Sequence, residues 1–102
     1  MSGEVVTVFR SRLRPDAGDD YDRTAAEMEQ RARAMSGFVD FKTFVAADGE
    51  RLSFVVFASR AEHDAWRDDA DHRVAQRRGR DEWYSWYAIQ VCDVVAERTF
   101  TR

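Results

Sequence analysis

The sequence predicts a ferredoxin-like α+β fold of order β-α-β-β-α-β, a four-stranded antiparallel sheet carrying both helices on one face. Three observations predict it. Four β-branched and aromatic runs alternate with two helical stretches in that order. An Asp48-Gly49 pair sits between the middle two runs as a two-residue hairpin signal. Immediately after the third run, Ser59-Arg60-Ala61-Glu62 has the S-x-x-E form of a capping box, which starts a second helix.

The first strand is EVVTVFRSRLR, residues 4–14, and Pro15 ends it. The acidic stretch DAGDDYD then suits a helix N-terminus, where negative charge meets the positive end of the helix dipole. Tyr21, Ala25, Met28, Ala32 and Met35 recur at steps of three and four, giving an amphipathic helix of about five turns that Gly37 stops. FVDFKTFVA (38–46) and RLSFVVFAS (51–59) form the antiparallel pair. The second helix carries Trp66 on its inner side, breaks around Ala70 and continues for a further turn or two through DHRVAQRRGR. The last strand is WYSWYAIQVCDVV, residues 83–95.

Residues 1–102 are expected to form one domain. Alternation in the middle strands is poor: Val39, Phe41 and Val45 share one phase with Phe38 and Phe44 on the other, and Leu52, Phe54 and Val56 oppose Val55 and Phe57. A sheet with one wet face shows cleaner alternation, so a second copy is expected to cover the outer face, giving a homodimer. No apolar run reaches the roughly 20 residues of a membrane span, and the N-terminus has no signal-peptide layout, so the expected location is cytoplasmic, away from membranes. Cys92, the single cysteine, lies in the apolar run VCDVV and reads as a buried thiol. The net charge is −3, and fifteen of the sixteen basic residues are arginines scattered along the chain, so no nucleic-acid footprint exists. LSFVVF (52–57) is similar to part of an RNA-recognition motif, but Glu50 and Arg51 stand where that motif has a basic residue and a glycine.

Both histidines lie in HDAWRDDADHRVAQ, residues 63–76. Nine positions apart, they do not share a helical face, and no H-x-x-x-H or cysteine pair accompanies them, so no metal site is expected. The aspartates at 64, 68, 69 and 71 read with Arg67 and Arg73 as a solvated charged face. Trp66 follows His63 by three residues, so both can point to one side, where core and pocket wall coincide. His63, near the helix start among acids, reads as exposed or as pocket-lining. His72, after the helix break, is the candidate base, since an imidazole titrates near neutrality. Gln76 shares its face one turn later. Arg80 is the candidate for neutralising an enolate or carboxylate, and of Trp83, Tyr84, Trp86 and Tyr87 about half should line core or pocket, Tyr84 among them.

With Pro15 opening the first helix, the Ser36-Gly37-Phe38 turn, FASRAEHDAW (57–66) and AWRDDADHRVAQRRGRDEWYSWY (65–87), the chain resembles the antibiotic biosynthesis monooxygenase family of dimeric α/β-barrel proteins along nearly its whole length. The resemblance implies a pocket between sheet and helices. Some members oxidise phenolic polyketide intermediates to quinones with molecular oxygen and no cofactor; others bind haem and open its ring. Where the quinone-forming members have an asparagine, a tryptophan and a tyrosine, this chain places Ser53, Phe57 and His63, and it contains no asparagine at all. Of the residues used by haem-degrading members, Trp66 matches the helix tryptophan, but Gln76 stands where their iron-binding histidine would be.

The leading expectation is therefore a cofactor-independent monooxygenase for a small aromatic or polyketide-type molecule, with molecular oxygen as co-substrate. His72 would be the base and Arg80 the charge-stabilising group; Trp66, Gln76, Phe57, His63, Ser53 and Tyr84 would bind substrate. No dinucleotide or phosphate-loop motif offers a redox cofactor. The alternatives are a haem-binding monooxygenase and a non-catalytic small-molecule binder of the same fold.

Overall fold

A computed structural model describes residues 3–102, without the side chains of Ala70, Asp71, His72 and Gln76. The elements are β1 (Val5–Leu13), α1 (Asp19–Ala34), β2 (Phe38–Val45), β3 (Arg51–Phe57), α2 (Arg60–Arg67), α3 (Ala70–Arg78), a π-helical turn (Gly79–Trp83) and β4 (Tyr84–Asp93). The sheet order is β2-β3-β1-β4, with every neighbouring pair antiparallel. This is the ferredoxin-like arrangement that the sequence predicts.

Local chemistry sets the boundaries. Asp19, Asp20 and Asp22 occupy the first turn of α1, while Arg31 and Arg33 occupy its last, so both helix poles meet opposite charge. Ser59 caps α2: its Oγ accepts from the Glu62 N–H at 3.2 Å and donates to the Glu62 carboxylate at 3.0 Å. The expected helix break falls at Asp68 and Asp69, dividing the second helical stretch into α2 and α3.

Strand pairing arranges the helix-side residues in four rows across the sheet. From one end they read Phe38-Phe57-Val5-Asp93, Phe41-Val55-Thr7-Val91, Thr43-Ser53-Phe9-Ile89 and Val45-Arg51-Ser11-Tyr87. The core occupies the first two rows, where Ala32, Val55, Phe57 and Trp66 form a buried cluster flanked by Met35, Phe38 and Phe41. Phe57 is completely buried, a burial that stabilises by about 1.5–3 kcal/mol. The helices cover the central strands and leave the rims open: Val45 on β2 and Ile89 and Val91 on β4 all remain exposed.

Three expectations change. Val39 sits in a register shift between Phe38 and Asp40, so Phe38 joins Phe41 and Val45 on the helix side and Phe44 alone keeps the opposite phase. The hairpin has a three-residue loop. Ala46 N–H donates to the Glu50 carbonyl at 2.8 Å and Gly49 N–H to the Ala46 carbonyl at 2.9 Å, with Gly49 at φ 91° and Asp48 at an ordinary negative φ. A type I′ turn would need positive φ at both central residues; a type I turn followed by a left-handed glycine needs it only at Gly49. Cys92, read as buried, is exposed, because it lies on an edge strand and on the face opposite the helices, in one row with Val6, Val56 and Asp40.

Candidate functional site

The two ends of the helix-side face are chemically different. In the apolar rows, β1 presents Thr7 and α2 presents His63, one turn beyond the Ser59 cap. His63 Nε2 lies 2.8 Å from Thr7 Oγ1, and Nδ1 lies 2.9 Å from Asp64 Oδ1. The ring is 1% exposed, and it stands edge-on to Trp66 with centroids 5.8 Å apart. Asp64 reaches the surface, and its hydrogen bond to His63 holds its carboxyl below the usual carboxylate range. The pattern fits an imidazole whose Nδ1–H donates to Asp64 and whose Nε2 accepts from the Thr7 hydroxyl. His63 is thus buried rather than exposed, a correction whose cause is Thr7, 56 residues away in sequence. Trp66 and Phe57 pack on each other with centroids 5.4 Å apart and belong to the core.

The other end is aromatic and polar. Ser53 Oγ and Thr43 Oγ1 share a 2.7 Å hydrogen bond. Beside Ser53, Phe9 meets Tyr84 at 5.4 Å and Tyr87 at 5.7 Å, and the two tyrosine rings lie 5.9 Å apart, edge to face. Tyr21, from the first turn of α1, adds its ring at 5.8 Å from Tyr84. Gly79 makes this packing possible: a Cβ there would come within 2.6 Å of the Tyr84 ring. Burial, reinforced by the neighbouring Tyr21 phenol and opposed by the Arg51 cation, pushes the Tyr84 hydroxyl far above the ordinary tyrosine range. Tyr84 is therefore a neutral phenol, a hydrogen-bond donor or acceptor. Arg51 lies in the last row, its guanidinium carbon 5.6 Å from the Tyr21 ring centroid.

Of the residues singled out from sequence, Phe57, His63 and Trp66 come together at the apolar end, and Ser53 and Tyr84 belong to the polar end. Arg80 is exposed in the π-helical turn that leads into Tyr84. His72 and Gln76 lie outside the described side chains. Sequence reasoning missed Phe9, Thr43, Tyr21 and Arg51. Arg51 carried a readable signal, since it shares the phase of Ser53, Val55 and Phe57 and so places a cation on an inward-facing register. Among the described residues no three His, Cys, Asp or Glu side chains converge as metal ligands.

With this geometry the chain matches the family model described as antibiotic biosynthesis monooxygenase over residues 4–78. It belongs to that family. The match runs from β1 through α3. Protein YqjZ of Bacillus subtilis is 29% identical to this family member over 93 residues, which cover 91% of the present chain and 82% of YqjZ. The structure of Rv0793 from Mycobacterium tuberculosis superposes with a TM-score of 0.82 at 23% identity, covering 94% of this chain and 99% of that one. SnoaB from Streptomyces nogalater, a cofactor-independent oxygenase, superposes with a TM-score of 0.78 at 14% identity, covering 99% and 100%. At these identities the two structural likenesses establish the fold.

Proposed function

We propose that the protein is a cofactor-independent oxygenase of small phenolic or polyketide-type aromatics, working as a cytoplasmic homodimer. The observation that carries this reading is the wall of Phe9, Tyr84 and Tyr87 beside the paired hydroxyls of Ser53 and Thr43, on the sheet face that the helices partly roof. A flat aromatic substrate stacks against such a wall. Its oxygen substituents meet Ser53 and the neutral Tyr84 hydroxyl. In an anthrone-type oxidation, one atom of O2 becomes the new ring carbonyl, and the other leaves as water with the two hydrogens that the carbon gives up. Substrate supplies the electrons, and the protein's part is to orient it, to remove a proton and to stabilise the resulting anion. His72 is the proposed base. For the dimer, the support is the outer face of the sheet, where Phe44 is exposed and Val8 and Phe54 are only half-buried among the described residues.

Oxygen-electrode measurements with anthrone and naphthol substrates test the activity: substrate-dependent oxygen uptake with matching quinone formation is expected, and no uptake across the panel would sink the reading. Unchanged turnover in His72→Ala would remove His72 as base, and a monomeric mass by light scattering would remove the dimer. A second reading, ligand binding without turnover, has its own support. His63 stands where the quinone-forming relatives have a tyrosine, and both of its ring nitrogens already have protein partners.

A further inference from the structure

We infer that Arg51 is the anion-binding residue of this face, and that the ligand it serves is an aromatic molecule carrying an oxyanion, a carboxylate or a phenolate. The inference rests on the aromatic-ligand reading above and deepens it by fixing the ligand's charge and the residue that meets it.

Arg51 differs from the other arginines of the chain. Nine of them, including Arg10, Arg12, Arg31 and Arg78, form ion pairs with carboxylates at the surface. Arg73, Arg77, Arg80, Arg98 and Arg102 are exposed, where water solvates them. Arg51 is half-buried at the start of the central strand β3, in the last row between Val45 and Ser11, and its Nε is sealed from solvent without a hydrogen-bond partner. The acids nearest in sequence do not compensate it. Asp48 and Glu50 are taken up by Arg12 and Arg10, whose side chains lie on the opposite face.

A buried donor without an acceptor is costly, and a cation removed from water more so, unless something else satisfies it. The face of Tyr21 supplies part of the compensation through the guanidinium–ring contact. A bound oxyanion would offset the remaining charge of the guanidinium, whose side chain is only half-buried, without reaching the sealed Nε itself. A guanidinium offers a planar fork of donors matched to a carboxylate or to a phenolate with a neighbouring oxygen. Thr43 and Val45 on the neighbouring β2 rim stay exposed, and a ligand would approach from that side. One row in, Ser53 and Phe9 continue the surface, so a ring on the aromatic wall would direct an oxygen substituent toward Arg51.

The test is equilibrium binding to the folded protein, followed by tryptophan fluorescence or calorimetry, with two matched pairs of probes. 2-Naphthoate against 2-naphthamide reads carboxylate preference, and 4-nitrophenolate against 4-nitroanisole reads phenolate preference. Wild type should favour at least one anion over its neutral partner by about tenfold, about 1.4 kcal/mol. Arg51→Met should bring that ratio to about one without weakening the neutral probe, Arg51→Lys should keep part of it, and Arg98→Met, at an exposed arginine of the C-terminal segment, should leave it intact. Circular dichroism confirms that each variant is folded; if Arg51→Met does not fold, Arg51→Lys against wild type decides. The inference is overturned if the anion preference survives at position 51, or if the wild type binds neither anion saturably. Arg51-dependent anion binding without oxygen uptake would keep it while removing the oxygenase reading.

Discussion

The Phe57 end and the Arg51 end of the helix-side face are built on the same strands, six residues apart along β3, yet they answer opposite needs. At the Phe57 end each group has its partner inside the protein: Phe57 and Trp66 pack on each other, and even the buried imidazole of His63 is held on both nitrogens. At the Arg51 end a cation is held in the sheet with a sealed, unpartnered nitrogen. The difference separates stability from recognition within one sheet. A closed set of contacts specifies the fold, and a charge left uncompensated by the protein is what a ligand can use.

The largest expected effect tests the closed end. Phe57→Ala should lower unfolding free energy by about 3–5 kcal/mol in a denaturant titration, because the helices and sheet around a completely buried ring can relax only partly into the cavity. Ser53→Ala, two rows away, should cost much less, and equal losses at the two positions would erase the contrast. Next comes Thr7→Val, which leaves His63 Nε2 buried and unsatisfied. We expect a loss of about 1–3 kcal/mol, with Thr7→Ser retaining most of the stability. If Thr7→Val were neutral, the imidazole would not depend on the hydroxyl.

The smallest effect is confined to alkaline solution. Tyr84 has its hydroxyl pKa raised on folding, so the folded chain keeps the proton that the unfolded chain loses near 10, the ordinary tyrosine value. Below that pH both states hold the proton and the contribution is fully present; as pH rises past it, stability falls. Tyr84→Phe should therefore flatten the alkaline limb of the stability curve while leaving its neutral region nearly parallel. An unchanged alkaline slope would mean that Tyr84 is not the group concerned.

Much of the fold was legible because its signals are local. The Ser59-x-x-Glu62 cap and the three-and-four spacing from Tyr21 to Ala32 act within a few residues and lie where expected, while the helix ends at Ala34, a little before Met35 and the Gly37 stop. The sequence missed what depends on partners far along the chain. Register decided that His63 meets Thr7, that Phe38 shares a face with Phe41, and that Arg51 stands beside Ser11 rather than in solvent. Cys92 looked buried from its apolar neighbours, but burial also requires a covering layer, and its strand is an edge. Ser53 and Tyr84 were singled out from sequence because one sits at a family position and the other in a dense aromatic run, and both lie at the polar end of the face. Arg51 was passed over because a charged residue at the start of a strand reads as a boundary.

Sheet order also bears on how the chain comes to be folded. β2 and β3 meet across three residues, whereas Val5 of β1 pairs with Phe57 and Asp93, 52 and 88 positions further along. Closing long loops costs more chain entropy before any contact repays it, so the hairpin is the natural place for order to begin, with β4 arriving last. The strand synthesised first is then the one that waits longest for its neighbours. During that wait Val5, Val6 and Val8 present an unpaired apolar edge, and the nascent protein's exposure to wrong pairing is greatest before residue 84 has left the ribosome.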